Sequence, residues 1–234
     1  MYGTVEGRWG RCKFLLKDEY VGRSMYHYGE YNPDETEMVL SLASGLCLDI
    51  GANIGVISQA LLSSGHEVVA FEPQPEIFKL LAENCSRAVL HNCAVGSVAG
   101  TANMPKVMYS AKGNFGGLGI GDTSIYGSIS VPVNTIDTFG FKGVGLMKID
   151  VEGYELEVLK GATDTICRDR PVLYIEDDRS NKSFALRAYI RSLGYTIEEH
   201  KPALYREDNF FSLKRNIWGQ NYASHNLICS FNKH

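Results

Sequence analysis

The sequence predicts an α/β fold built on a parallel sheet, and three observations predict it. Apolar runs alternate with helical patterns from residue 46 to residue 84, the first run ends in a glycine-rich turn that opens a helix, and two later runs end in acids. Such alternation is what a sheet covered by crossover helices produces. The order of elements is as follows. The first 30 or so residues are polar and aromatic without sustained periodicity, and 35–42 gives a short helical pattern, so 1–42 reads as a cap segment. A strand over 46–50, a helix over 54–64, a strand over 68–71 and a helix over 75–84 with proline in its first turn open the core. A third apolar run, 88–93, reads as a buried strand.

Residues 96–130 hold Gly113, Gly116, Gly117, Gly119 and Gly121 with no helical pattern, then a short β segment over 129–133. No Lys-Ser or Lys-Thr follows these glycines as a phosphate loop requires, so the segment reads as a loop or hairpin inserted in the core, suited to covering a site. A fourth strand, 146–149, ends in Asp150 and is followed by a helix through Gly161; a fifth, 172–175, ends in Glu176-Asp177-Asp178. A helix over 183–193 stopping at Gly194 and strands over 195–197 and 227–231 complete the pattern. No linker-like stretch divides the 234 residues, so one domain is expected, with its core over 43–234.

The turn Cys47-Leu48-Asp49-Ile50-Gly51-Ala52-Asn53-Ile54-Gly55 is the strongest functional signal. Backbone N–H groups at a helix N-terminus, with Gly51 and Gly55 allowing close approach, make a nucleoside site. About 20 residues on, Glu72 ends the second strand, where an acid accepts hydrogen bonds from ribose hydroxyls. Asn92, Cys93 and Ala94 fall where a third strand meets the base. The turn departs from the Gly-x-Gly-x-x-Gly pyrophosphate fingerprint, and Asp49 repels phosphate; a ligand with an ammonium and a sulfonium, S-adenosylmethionine, suits it better.

The formal net charge of −4 argues against an extended surface for long nucleic acid. Six cysteines, scattered without Cys-x-x-Cys spacing, signal neither a zinc site nor a disulfide framework. No apolar run reaches membrane-spanning length and Tyr2 occupies the myristoylation position, so a cytoplasmic protein is the expectation.

The run Met147-Lys148-Ile149-Asp150-Val151-Glu152-Gly153-Tyr154-Glu155-Leu156 resembles the signature of FkbM-type S-adenosylmethionine-dependent methyltransferases. Tyr28-Gly29-Glu30-Tyr31 with Glu35, the Asp49 turn, Phe71-Glu72-Pro73, the segment 170–176, Asp178-Arg179 and Asp208-Asn209-Phe210-Phe211 are similar too, over about residues 26–231. The resemblance implies a class I methyltransferase fold, a Rossmann-like three-layer sandwich whose seven-stranded sheet is mostly parallel with its last strand antiparallel. It also implies O-methylation, commonly of sugar or polyketide hydroxyls, with a sugar or glycoconjugate acceptor expected here; a small natural product or a nucleic-acid end as acceptor, or a nucleoside-binding module without catalysis, are the alternatives.

An alcohol must lose a proton as it is methylated, to a positioned base or with the help of a hard cation. Two readings of the acids stand. In one, Asp150, Glu176 and Asp177 hold magnesium, similar to the site of catechol-type O-methyltransferases. In the other, Asp150 or Glu152 orients or deprotonates the acceptor while Glu176, Asp178 and Arg179 bind sugar hydroxyls. His200 is a further candidate base, favoured by the resemblance although Glu199 replaces the usual aromatic neighbour. Asn209 and Phe210 are expected at the acceptor, and Glu35 is expected to contact the cofactor or close the cap.

Overall fold

Strands that are apolar along most of their length bury both faces, and four such runs form the middle of the main sheet. The computed structural model describes residues 1–219 and 222–231. Residues 220, 221 and 232–234, which the single expected domain includes, lie outside the described residues.

The chain opens with an antiparallel hairpin, β1 (Tyr2–Gly7) and β2 (Gly10–Leu15), then α1 (Val21–Tyr28) and α2 (Pro33–Leu42). The pattern-free reading of the first 30 residues is corrected here: β1 alternates exposed and half-buried residues, and β2 sends Cys12, Phe14 and Leu15 into a cluster with Val21 and Met25 of α1. The core follows as β3 (Leu46–Ile50), α3 (Val56–Ser63), β4 (Glu67–Phe71), α4 (Pro75–Asn84) and β5 (Val89–His91). The expected third strand stops early: β6 (Ala94–Val95) leaves for a separate three-stranded sheet with β7 (Gly100–Pro105) and β8 (Ser128–Asn134). The glycine-rich segment is therefore the hairpin β7–β8 with a long loop between its strands.

A single turn α5 (Ile136–Phe139) leads to β9 (Val144–Ile149), α6 (Glu155–Lys160), α7 (Thr163–Asp169), β10 (Val172–Glu176), α8 (Ser180–Ser192), β11 (Tyr195–His200) and β12 (Asn226–Phe231). The seven-stranded sheet runs β11-β12-β10-β9-β3-β4-β5, and β12 alone is antiparallel to its neighbours. Alternation along the strands sends Leu48, Ile50, Met147, Ile149, Leu173 and Ile175 to one face, against α6, α7 and α8. Cys47, Val68, Ala70, Leu146 and Tyr174 point the other way, against α2, α3 and α4. The result is three layers.

Two consequences position the site. The chain builds outward from β3 through β4 to β5, then returns to place β9 on the other side of β3, so a crevice opens beyond the strand tips where the order reverses. Register then aligns Ile50 with Phe71 and with Ile149, and Ile149 with Ile175, so Gly51, Glu72, Asp150 and Glu176 each stand one residue past this row, at the carboxyl edge. Among the described residues, no helix is long and apolar enough to cross a membrane.

Candidate functional site: an acidic cavity at the strand tips

A cavity of about 320 Å³ lies over these tips, within the size range of small-molecule sites. Its wall includes the carboxylates of Glu35, Glu72, Asp150, Glu152, Glu176 and Asp178, and, among the described residues, one cationic side chain, Lys148.

At the β3–β4 end, the chain turns sharply after Ile50. Gly51 has φ 82°, and a Cβ there would stand 1.8 Å from the Asp150 carbonyl oxygen, so this glycine lets two strand tips touch. Gly55 has φ 92° and a Cβ would meet Cys85 Sγ at 2.5 Å; it serves helix packing and does not line the cavity, against the expectation that it admits a ligand. The turn is held by Glu72, whose carboxylate accepts from the Asn53 N–H at 3.0 Å and the Gln74 N–H at 2.8 Å. Burial pushes the Glu72 carboxyl up to about 7, against the pull of those two N–H groups. Gly51, Asn53 and Ala94 line the cavity as expected. Asn92 does not: its amide donates to the Glu72 and Pro73 carbonyls at 2.8 and 3.2 Å and fixes the turn after β4.

Asp49 is the most consequential correction. It is fully buried and stands behind the cavity wall, accepting from Ser58 Oγ at 2.6 Å, with Lys148 Nζ at 3.9 Å. Asp49 faces α3, and Lys148 in the adjacent strand is the residue of this pair that lines the cavity. Lys148 is 5% exposed and 3.0 Å from Asp150 Oδ2. Burial alone lowers its pKa, but Asp150, Asp49 and Glu35 overcome this and hold the ammonium charged. The sequence carried a signal for it: a lysine within an otherwise apolar strand. Glu35 is 7% exposed, accepts from the Asn32 amide, and is pushed up to about 7 by burial against the attraction of Lys148.

At the β9–β10 end, one oxygen each of Asp150, Glu152 and Glu176 lie within 4.8 Å of one another. Arg179 donates to Glu152 at 2.6 Å and sits 3.6 Å from Asp178. Burial, then repulsion from Asp150 and Glu152, raises the Glu176 carboxyl well above its usual range, and Glu176 Oε2 has no hydrogen-bond partner among the described residues. Burial followed by Asp150 brings Glu152 up to about 7.

Five further sequence expectations fall outside this wall, and one of them, Arg179, reaches it only through Glu152. Asp177 accepts from Ser183 Oγ at 2.8 Å and Arg187 Nε at 2.7 Å: consecutive strand residues face opposite ways, so Glu176 and Asp177 cannot share a site. Glu152 takes its place in the cluster, carried there by a backbone turn with φ 55°. His200 lies on the edge strand with β12 and β10 between it and β9; its Nδ1 pairs with the Tyr174 hydroxyl at 2.8 Å, and burial lowers its pKa. Asn209 ties a surface turn through the Arg206 and Leu213 carbonyls, and the Phe210 ring packs on Phe211.

Further residues complete the wall or support it. Tyr20 and Tyr222 line the mouth, and Trp218 stacks on Tyr20 at 5.6 Å and meets Tyr222 edge-on. Gln74 donates to the Phe115 carbonyl at 2.9 Å and accepts from the Tyr109 hydroxyl at 3.0 Å, seating the β7–β8 loop so that Asn114, Gly116 and Leu118 close one side.

A parallel sheet reversed between β3 and β9, with one antiparallel strand beside β10, is the class I methyltransferase fold. Solved structures agree: a methyltransferase FkbM from Methylobacillus flagellatus KT superposes with TM-score 0.54 at 20% identity, over 92% of this chain and 56% of that one. The tRNA (uracil-54, C5)-methyltransferase of Pyrococcus abyssi, in complex with S-adenosyl-L-homocysteine, gives 0.54 at 11% identity, over 98% of this chain and 44% of that one. The chain belongs to the FkbM methyltransferase family, for residues 49–197 match the model of the methyltransferase FkbM domain. It is 32% identical over 126 residues to the hexuronic acid methyltransferase AglP of Haloferax volcanii, a match covering 50% of each chain, so it spans about half the length of this curated relative.

Proposed function

We propose that the protein transfers a methyl group from S-adenosylmethionine to a hydroxyl of a sugar or glycoconjugate. The observation that carries the reading is the charge of the cavity: six carboxylates and one paired lysine. That balance favours a ligand bearing ammonium and sulfonium charges and penalises a pyrophosphate. The residues fit such a ligand in size and donor set, with Glu72 poised for ribose hydroxyls, the β6 backbone at Ala94 for the base, and Glu35 beside Asp150 for the ammonium. The bound group supplies an electrophilic methyl on sulfur. The chain's own part is to place an oxygen in line and accept its proton. Asp150 and Glu152 are assigned to the acceptor oxygen and its proton, Arg179 positions Glu152, and Glu176 and Asp178 accept hydrogen bonds from neighbouring hydroxyls. Support for a sugar comes from the AglP name and from the aromatic mouth of Tyr20 and Tyr222, whose amphipathic rings suit a pyranose face.

Magnesium does not fit the acids as they stand. Lys148 pairs with Asp150 and Arg179 with Glu152, so two of the three clustered carboxylates already face a cation that a divalent ion would have to displace. No step is assigned to a metal. The test is a labelled-methyl transfer screen over glycans, small alcohols and capped RNA. Label in the glycans is expected, and label confined to RNA or to the small alcohols overturns the sugar assignment.

A further inference from the structure

We infer that the acceptor end of the cavity selects an uncharged, hydroxyl-rich sugar and rejects one carrying a carboxylate, so that the acceptor differs in charge from a hexuronic acid. This rests on the sugar methyltransferase reading above and adds the charge of the acceptor to it.

The cations around this end are already committed to acids or to the backbone. Asp150, Glu152, Glu176 and Asp178 face the acceptor end. The cation in that wall, Lys148, is spent on Asp150 at 3.0 Å and Asp49 at 3.9 Å. Arg179 is spent on Glu152 at 2.6 Å with Asp178 at 3.6 Å, and the Lys182 ammonium donates to the Gly153 carbonyl at 2.7 Å. A carboxylate entering here meets acids and finds cations that must first abandon them. Recognition of uronates or phosphates ordinarily uses a free arginine fork, and Arg179 lacks that freedom.

Hydrogen-bond valence points the same way. Glu176 Oε2 and Asn32 Oδ1 are buried without a donor among the described residues, and Asn32 is 2% exposed. Both Asn32 and Glu176 line the cavity. The Asn32 oxygen is an acceptor waiting for a donor, and a buried acceptor left unmet is costly. Sugar hydroxyls donate, whereas a carboxylate only accepts. Burial, then repulsion from Asp150, already raises the proton affinity of Glu152 and Glu176, so a further negative charge is disfavoured beside them.

The test pairs neutral p-nitrophenyl hexosides with p-nitrophenyl hexuronides of the same configuration as acceptors of labelled methyl from S-adenosylmethionine. The expected result is a preference of at least about tenfold in kcat/KM for the neutral member, as like-charge juxtaposition sets specificity. Asp178→Asn is expected to narrow that ratio several-fold, mainly through the KM of the hexuronide. Equal or faster transfer to the hexuronides overturns the inference and leaves the sugar reading standing. A preference that neither Asp178→Asn nor Glu176→Gln moves overturns it too. Transfer to small alcohols or capped RNA, with none to either sugar class, overturns the sugar reading and the inference together.

Discussion

At the tips of β3 and β4 each acid is held by groups around it, whereas at the tips of β9 and β10 the acids face one another. Glu72 accepts two backbone N–H bonds and Asp49 a serine hydroxyl, so their orientation is set before any ligand arrives. Asp150, Glu152 and Glu176 instead crowd together, with Lys148 against Asp150 and Arg179 against Glu152. The difference teaches how one sheet edge serves two needs. Under the proposed methyl transfer, a nucleoside is met by groups already held in place, while an acceptor that loses a proton is met by carboxylates clustered around it.

Breaking the carboxylate cluster should do most damage to the reaction. Asp150→Ala is expected to lower kcat by roughly 10³-fold, within the range for a positioned acid or base. S-adenosylmethionine binding, followed by calorimetry, should weaken far less. Full activity in that variant takes Asp150 out of the chemistry.

Breaking the link between the halves should do most damage to the fold. Lys148→Met leaves Asp49 and Asp150 without their cation, and loss of one partner of a buried pair costs about 3–5 kcal/mol. Urea unfolding measures it, and an unchanged midpoint contradicts the pairing.

The rigid half predicts a pH dependence. Burial raises the Glu35 and Glu72 carboxyls from 4.5 to about 7. A raised folded pKa contributes stability that is full below the unfolded value and is lost as pH rises through the folded one. The ligand-free protein should therefore melt at a lower temperature as pH rises from 4.5 through about 7, and Glu35→Gln should flatten that slope. A cationic ligand reverses the penalty by favouring the charged carboxylates, so binding near neutrality should release protons.

The smallest effects belong to groups outside the wall. His200→Ala removes its bond to Tyr174 and should cost about 1 kcal/mol of stability with kcat/KM unchanged. Treatment with a chelator should likewise leave turnover unchanged; a collapse in turnover would bring back a metal at Asp150 and Glu176.

Much of this was legible in the sequence for a physical reason. Strands buried on both faces write themselves as apolar runs, so β3, β4, β9 and β10 and the tips bearing Glu72, Asp150 and Glu176 can be read directly. Strand order could not: His200 ends a strand, yet β12 and β10 separate it from the cavity. Face could not be read beyond a strand's end either, which is why Asp177 was grouped with Glu176 and Glu152 was kept out of the metal set. Asp49 shows a third limit: an acid before a glycine turn reads as a ligand contact, and only packing reveals that Ser58 of α3 and Lys148 enclose it. The β1–β2 hairpin was missed because its short strands bury one face, and weakly.

The central claim, that this cavity holds a cationic amino-acid nucleoside rather than a phosphate-bearing one, is tested most directly by titration calorimetry at neutral pH with S-adenosylmethionine and with NAD. Saturable binding of S-adenosylmethionine with proton release, and no heat from NAD, is the predicted result. Binding of NAD without S-adenosylmethionine would contradict it.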